Sequence, residues 1–255
     1  MNVLWVFAHP EPRSLSGALR DDSLQTLRTL GHDVRESDLY AMKWNPVVDV
    51  ADYGTEAADR RLQVAAASAR AYAGGTLSPE IVAEQEKLAW ADAVVVQFPL
   101  WWFGVPAILK GWIDRVFVKG FAYGLSGDDG RTLHYGEGRL AGKRAMAVVT
   151  GGASEAALGP RSINGSLDDL LFSLQHGTFF YTGMSILPPY AVYGADRVSP
   201  EQFTEARDAL RERLRTLETT QPLPYRSRNG GDYDENMVLK EAHVPGETGF
   251  AIHLR

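Results

Sequence analysis

The chain has 255 residues, of which 45% are apolar and 23% charged, and its formal net charge is −6. This is the composition of an ordinary globular protein with a sizeable core, and it excludes collagen-like and intrinsically disordered chains. Because there is no cysteine, a disulfide framework, a thiol nucleophile and an iron–sulfur cluster are also excluded.

Further classes of protein are disfavoured by what the sequence lacks. No apolar run reaches the roughly 18 residues of a membrane helix. The first residues lack the basic region of a signal peptide, so we expect a cytoplasmic protein. The acidic balance, without a basic stripe interleaved with aromatics, predicts no nucleic-acid partner. The histidines never fall at the i, i+4 spacing of a zinc-binding helix, and we predict no metal site.

The first half of the chain alternates short apolar runs with helical patterns. Asn2–Ala8 is apolar and β-branched, which predicts a strand that ends before Pro10. Ser14 is a suitable N-cap for a helix over Leu15–Leu30, whose apolar positions recur at helical spacing. The elements predicted next are a strand at Asp33–Ser37, a helix within Glu56–Ala73, a helix from Ser78-Pro79-Glu80 to Trp90, a strand at Ala93–Phe98 and a helix from Val105-Pro106 to Val116.

The second half continues this alternation after a long polar loop with six glycines, Gly124–Gly142. The elements predicted there are a strand at Arg144–Thr150, a helix from Leu167 to Tyr181, a fifth strand near Met184–Val192 and a helix from Ser199-Pro200-Glu201 to about Leu217. Alternating strands and helices predict a parallel sheet, and five strands favour a doubly wound, flavodoxin-like α/β fold. We expect one domain over 1–219 and an extended tail over 220–255 that packs on the domain or on a partner subunit.

In an open parallel sheet, ligands bind beyond the carboxyl ends of the strands, where the strand order reverses. Three segments should meet there: His9–Ala18, Pro99–Gly104 and Thr150–Ser154. The first offers a helix N-terminus, the hydroxyl of Ser16 and the charge of Arg13 to a diphosphate group. The alternative is a capped helix that binds no ligand.

Three consecutive aromatic residues, Trp101, Trp102 and Phe103, follow the third apolar strand. They cannot all face the core, so at least one should line the mouth of the sheet and stack on a planar ligand. The double glycine Gly151-Gly152 allows such a ligand to approach the backbone closely. The alternative is that these aromatics form a local core cluster.

Four stretches of the sequence carry a resemblance to a known family. They are SDLYAM at Ser37–Met42, LSPEIVAEQ at Leu77–Gln85, QFPLWWFGVPAILKGWIDRVFVKGFAYG at Gln97–Gly124, and TGG at Thr150–Gly152. In these stretches the chain resembles the NAD(P)H:quinone oxidoreductases, flavin enzymes often called DT-diaphorases, and looser similarity runs through the tail. The resemblance implies a flavodoxin-like fold, a homodimer, FAD as cofactor with FMN as second choice, and NAD(P)H as co-substrate.

The resemblance also implies roles for individual residues. The flavin-binding residues it implies are His9, Leu15 and Ser16 at the diphosphate and ribitol, Gln63 at the adenine, Pro99, Leu100, Trp101, Trp102 and Phe103 at the isoalloxazine ring, and Thr150, Gly151 and Gly152 at the pyrimidine edge. Two residues are implied to act across the dimer interface. Asp114 reaches the partner's flavin, and Tyr123 lines the partner's substrate pocket.

The chain departs from the family pattern at three positions. A second pocket tyrosine is replaced by Leu125, a flavin-contacting tyrosine by Ala157, and the histidine of a tyrosine–histidine pair that steadies reduced flavin by Asn164. An amide has no titratable proton, so Asn164 changes the chemistry at that place. The alternative is that Asn164 caps the helix that begins near Leu167. Tyr135, in the glycine-rich loop, is a candidate to replace the missing pocket tyrosine.

The reaction that the resemblance implies is a two-electron hydride transfer from NAD(P)H through the flavin to a quinone or a related small aromatic acceptor. The candidate catalytic residues are Trp102, Phe103, Tyr123 and Asn164, around the place that both substrates occupy in turn. Two alternatives stay open: a regulatory flavin-binding subunit of a potassium-efflux transporter and a one-electron flavodoxin carrier. The long tail favours the dimeric enzyme over the first, and the aromatic pocket disfavours the second.

Overall fold

A computed structural model describes residues 1–54 and 61–255 of the chain. The strands found in these residues are β1 (Asn2–Phe7), β2 (Asp33–Asp38), β3 (Ala93–Pro99), β4 (Leu125–Ser126), β5 (Thr132–Leu133), β6 (Arg144–Gly151), β7 (Ser185–Ile186) and β8 (Tyr190–Tyr193). The central sheet has the order β2-β1-β3-β6, with β7 and β8 sharing the place beyond β6, and all its pairs are parallel. The predicted doubly wound, flavodoxin-like order is confirmed, and the strand order reverses between β1 and β3.

Helices cover both faces of the sheet. They are α1 (Leu15–Thr29), α2 (Val64–Gly74), α3 (Pro79–Trp90), α4 (Ala107–Val116), α5 (Leu167–Leu174) and α6 (Pro200–Arg215). Side chains alternate along each strand, so Leu4 and Val6 face a core with α2 to α5, whereas Val3 and Trp5 face one with α1 and α6. Every residue of β3 is buried, as expected for a parallel strand covered on both sides.

The helix starts follow the capping residues that the sequence indicates. The Ser14 hydroxyl accepts the N–H of Gly17 at the start of α1. At α6, Ser199 accepts the N–H of Gln202, whose side chain in turn accepts the N–H of Ser199. Such caps satisfy N–H groups that have no partner within the helix. Because of them, the predicted boundaries agree with the observed ones to within a residue or two.

Two elements differ from their predicted bounds. The helix expected within Glu56–Ala73 begins at Val64, and residues 56–60 of the prediction lie outside the described part of the chain. The fifth strand, expected as one run at Met184–Val192, is split into β7 and β8. Pro188 and Pro189 fall between the two pieces and have no N–H to donate to a neighbouring strand, so the pairing is interrupted there.

Two further segments are more structured than expected. The helix predicted over Leu167–Tyr181 is α-helical only to Leu174 and continues as a π-helical turn at Gln175–Phe180. In this turn the N–H of Tyr181 donates to the carbonyl of His176, five residues earlier. The glycine-rich loop contains the hairpin of β4 and β5.

The chain beyond α6 returns across the body of the molecule. The N–H of Leu223 donates to the carbonyl of Ile186 at 2.7 Å, and the ring of Phe250 stacks on Phe172 with centroids 4.2 Å apart. The division into 1–219 and a tail stays a prediction. No helix in the described ranges combines the length and apolar character needed to cross a membrane.

Candidate active site

The loops that follow β1, β3 and β6 meet at one edge of the sheet. The N–H of Leu100 donates to the carbonyl of Thr150 at 2.8 Å. The hydroxyls of Thr150 and Ser16 are also 2.8 Å apart, and the Gln97 amide donates to the Ser16 carbonyl. Trp5 in turn donates its indole N–H to Gln97. This buried network brings Ser16 and Thr150, both predicted to bind a flavin, side by side and fixes the start of α1 against β3 and β6.

The turn between β1 and α1 presents a helix N-terminus at this edge. The Ser14 hydroxyl caps Gly17 and lies 3.1 Å from Nδ1 of His9. The turn is tight because position 17 has no side chain: a Cβ there would lie 1.9 Å from the carbonyl oxygen of Pro12. The N–H of Leu15 precedes the first intrahelical hydrogen bond, and such N–H groups favour an anion.

Arg13 lies in the same turn, but its charge is already paired. Its guanidinium is 3.0 Å from the Glu11 carboxylate, and the two side chains are 88% and 47% exposed. The hydrogen bond from Arg13 lowers the pKa of Glu11 to about 2, so this carboxylate is charged at neutral pH. A phosphate group at the helix N-terminus would therefore share Arg13 with Glu11.

The aromatic segment after β3 forms a strained tight turn. The N–H and carbonyl groups of Trp101 and Gly104 bond to each other at 3.0 and 3.2 Å, and the residues between them, Trp102 and Phe103, have φ angles of 49° and 60°. Positive φ at both central positions is a conformation that Gly, Asn and Asp dominate, and bulky side chains there are strained. Trp101, Trp102 and Phe103 are 44%, 95% and 46% exposed, so the core-cluster alternative is wrong. The ring of Trp101 lies 6.3 Å from that of His9, which joins the turn to the start of α1.

A cleft of about 290 Å³ separates this turn from the double glycine. Its lining residues are Leu100, Trp102, Phe103, Gly151, Gly152, Ala153 and Leu158. A Cβ placed on Gly151 would meet no atom within 4 Å, whereas one on Gly152 would lie 2.8 Å from the Asp196 carboxylate. The backbone of Gly151 therefore borders open space, and a flat ring has room to lie against it. Asp196 is a neighbour of the cleft that the sequence did not indicate.

The predicted residues that lie outside the cleft lining include Asp114, Gln63 and Tyr123. Asp114 lies on the exposed face of α4, where both its carboxylate oxygens accept from Lys110 at 2.6 and 2.7 Å. Gln63 is exposed at the start of α2 and makes no capping hydrogen bond. Tyr123 is half-buried, which raises the pKa of its phenol, and Tyr181 nearby adds to the increase. The action of Asp114 and Tyr123 on a partner's site stays a prediction, as does the contact of Gln63 with the adenine.

Asn164 fastens the loop that follows the double glycine. Its amide donates to the carbonyl of Ala157 at 2.9 Å, so the chain's departures at 157 and 164 touch each other. The alternative that Asn164 caps α5 is wrong, because the N-cap is Ser166, whose hydroxyl accepts the N–H of Asp169. The residues of this loop that line the cleft are Ala153 and Leu158.

An aromatic cluster that the sequence did not reveal lies close to Tyr123. The ring of His134 stacks on Tyr181 with centroids 5.2 Å apart, and Tyr135 meets Tyr181 edge-on at 5.0 Å. Tyr135 therefore packs here and does not line the cleft of its own chain. No local pattern could have shown this, because the cluster joins the glycine-rich loop to the π-helical turn.

Fold and cleft together define a flavodoxin-like α/β protein with an open cleft at the carboxyl edge of its sheet. Comparison with known proteins agrees, since residues 1–217 match the family described as having a flavodoxin-like fold. A ribosyldihydronicotinamide dehydrogenase-like protein, traD, of Penicillium crustosum is 45% identical over 259 residues, covering 100% of this chain and 96% of the relative. NAD(P)H dehydrogenase [quinone] 1 of Rattus norvegicus is 38% identical over 222 residues, covering 87% and 79%.

A solved structure is also similar over the whole chain. The crystal structure of a candidate quinone reductase from Klebsiella pneumoniae is 48% identical, covers 100% of both chains and superposes with a TM-score of 0.95. The chain belongs to the NAD(P)H:quinone oxidoreductase family of flavodoxin-like proteins. The predicted family, fold class and oxidoreductase enzyme class are thereby confirmed.

Proposed function

We propose that this chain is an FAD-dependent NAD(P)H:quinone oxidoreductase. The observation that best supports the proposal is the cleft, in which the turn Trp101–Gly104 faces the bare backbone of Gly151. A planar ring held there would have an aromatic wall on one side and peptide groups on the other. The helix N-terminus at the same edge suits the phosphate part of a flavin nucleotide. Relatives named for NAD(P)H, dihydronicotinamide and quinone support the same reaction.

When bound, a flavin supplies the acceptance of hydride from NAD(P)H and its donation to a quinone. The exposed rings of Trp102 and Phe103 would stack on the planar substrate, orient it and exclude water from one side. The peptide groups of Gly151 and Gly152 would donate hydrogen bonds where negative charge develops during reduction. Asn164 offers a neutral amide only, so this chain would not hold a titratable proton at that position.

The choice of FAD over FMN rests on residues outside the cleft. The turn with His9, Leu15 and Ser16 accounts for one phosphate-binding position, which both cofactors could use. Gln63 is exposed and lies outside the cleft lining, and in this proposal it contacts the adenine half that only FAD possesses.

The proposal includes a homodimer in which each subunit completes the other's site. Trp102 is 95% exposed and Phe103 46% exposed, which is an unusual position for neighbouring large aromatics in a monomer. Tyr123 would line the partner's substrate pocket, and Asp114 would reach the partner's cofactor. Analytical ultracentrifugation of the purified protein tests this part, and a flavin-loaded, fully active monomer would refute it.

The function is tested by the spectrum of the purified protein. Flavin absorption is expected, and mass spectrometry of the extracted cofactor should give FAD; FMN would correct the cofactor and leave the reaction standing. Under anaerobic conditions NADH or NADPH should bleach the flavin, and a soluble quinone should restore its colour. A flavin-loaded protein that neither nucleotide bleaches would refute the proposed reaction.

The regulatory transporter subunit receives no support from the relatives named above. Rapid NAD(P)H-dependent quinone turnover by the isolated chain is the result that the enzyme proposal requires. The same assay, run with both nucleotides, establishes which of the two the chain prefers.

A further inference from the structure

A carboxylate stands beside the double glycine of the cleft. Asp196 belongs to a short 3₁₀ turn, Ala195–Arg197, which follows β8 after one residue. Its Oδ2 lies 2.8 Å from the place that a Cβ of Gly152 would occupy, so this oxygen is at most about 4.3 Å from the Gly152 Cα. Because Gly152 lines the cleft, a planar ring held there would lie close to this carboxylate.

Main-chain hydrogen bonds hold this turn against the loop of the double glycine. β8 pairs with β6 so that Tyr193 lies opposite Gly151, and the carboxyl ends of the two strands are therefore neighbours. The N–H of Gly194 donates to the carbonyl of Ala153 at 2.9 Å, and the chain turns sharply at Gly194, whose φ is 62°. The backbone of Asp196 is thereby attached to the same loop that borders the cleft.

The charge of this carboxylate is not neutralised by a pairing cation. Among the described residues, the ion pairs and side-chain hydrogen bonds include neither Asp196 nor Arg197, the cation next to it in sequence. Glu11, in the turn before α1, differs because it is paired with Arg13. Asp196 is exposed, and an exposed aspartate carries a full negative charge near pH 7.

A negative charge at this place acts on the redox equilibrium of a ring in the cleft. Accepting a hydride adds one negative charge to a neutral flavin, whereas the oxidised ring carries none. A carboxylate close by therefore disfavours the reduced form relative to the oxidised form, and the reduction potential falls. Water weakens the field of an exposed charge, but at low salt the field still extends across the cleft.

We propose that Asp196 lowers the reduction potential of the flavin held in the cleft and so makes the reduced flavin a stronger hydride donor to the acceptor. This inference rests on the proposed function. Asp196 is not among the residues that line the cleft, so it acts through its charge and not through contact with the substrate. The same hydride enters from NAD(P)H and leaves to the quinone. The carboxylate makes its uptake less favourable and its donation more favourable.

The test is an anaerobic spectroelectrochemical titration of the purified, flavin-loaded protein at an ionic strength of about 20 mM. Asp196→Asn keeps the shape of the side chain and removes its charge. Relative to oxidised flavin, this variant should bind reduced flavin about three- to tenfold more tightly than the wild type does, which raises a two-electron potential by about 15–30 mV. Asp196→Glu keeps the charge and should stay near the wild type, whereas Asp196→Lys should shift the potential further than asparagine does.

The matched control removes a charge far from the cleft. Glu86 is exposed near the end of α3, the end that leads into the amino end of β3, and the cleft lies at the opposite edge of the sheet. The ion pairs found in the described ranges do not include Glu86. Glu86→Gln should therefore leave the potential unchanged.

Salt separates the effect of the charge from a change of shape. At about 1 M salt the Debye length is about 3 Å, so the shift caused by Asp196→Asn should fall to less than half. Equal potentials for this variant and the wild type at low salt would overturn the proposal, as would a shift that salt leaves unchanged or that Asp196→Glu reproduces. If Asp196→Asn fails to fold, Asp196→Glu and Asp196→Lys give the same comparison. A chain that binds neither FAD nor FMN would refute the proposed function, whereas a flavin-loaded chain whose potential ignores residue 196 would refute this inference alone.

Discussion

Replacing Trp102 by glycine and by alanine separates the strain of the aromatic turn from its chemistry. The residue has a φ of 49° and is 95% exposed, so removing the indole takes little apolar surface out of the core. A left-handed conformation costs a residue with a side chain about 1–2 kcal/mol, and glycine avoids that cost. The greater freedom of glycine in the unfolded chain offsets about 0.5–1 kcal/mol. With the middle of each range, the free energy of unfolding of Trp102→Gly should exceed that of Trp102→Ala by about 0.75 kcal/mol.

The two variants should differ in stability but not in catalysis. Calorimetry should place the Tm of Trp102→Gly about 1–4 °C above that of Trp102→Ala for a domain of this size. Both should lose stacking worth about 0.5–1.5 kcal/mol, which lowers kcat/KM by roughly 2- to 13-fold, while flavin content falls less. An alanine variant as stable as the glycine variant would refute the strain argument. An alanine variant purified without flavin, yet normal once FAD is added, would show that the indole holds cofactor and not substrate.

Three further predictions address the cleft, its neighbouring loop and the buried side chain of His176. Gly151→Ala should keep the Tm of the wild type but lose flavin, because the added Cβ meets no protein atom within 4 Å and lies at the cleft. Gly177→Ala is the control: its Cβ is equally unobstructed but lies outside the cleft lining, so this variant should keep its flavin. In Asn164→His, the rate of flavin reduction by NAD(P)H should become pH-dependent near pH 6.5, where histidine titrates. Identical stopped-flow rate profiles of the variant and the wild type from about pH 5.5 to 8.5 would remove the position from the site. Burial lowers the pKa of His176 from 6.5 to about 4. As the pH falls from 6.5 to 4, the unfolded chain binds a proton at this ring that the folded chain does not bind, so the free energy of unfolding falls. His176→Phe should lose less Tm than the wild type between about pH 7 and pH 5, and an equal loss would exclude this histidine as a cause.

The fold was predictable because its signals are local and repeated. Alternating apolar runs and capped helical patterns located the strands of the sheet and the helices around it to within a few residues. The fifth strand differs from its prediction because Pro188 and Pro189 interrupt the apolar run, and their missing N–H groups break the strand pairing. The π-helical turn could not be foreseen, since one extra residue in a helix leaves the apolar periodicity almost unchanged.

The candidate site was predictable only as far as strand ends determine it. The meeting of Ser16 with Thr150 follows from the topology, because Ser16 lies just beyond the carboxyl end of β1 and Thr150 lies at that of β6, and these parallel strands flank β3 on either side. The positive φ angles of the aromatic turn could not be predicted, since aromatic residues seldom adopt them. The aromatic contacts of His134 and Tyr135 join the glycine-rich loop to the π-helical turn and to Tyr181, and contacts at such separations leave no mark on local sequence patterns.

Strain in the aromatic turn bears on the role of its exposed side chains. Trp102 and Phe103 at the cleft both occupy left-handed backbone that glycine would adopt more easily. Packing within the chain does not explain Trp102, because a side chain that is 95% exposed contributes almost nothing to the core. The indole must therefore contribute through something the isolated chain lacks, either a planar ligand in the cleft or the surface of a second subunit. Because stacking depends on ligand concentration and dimer contacts on protein concentration, the variants at Trp102 separate these two contributions.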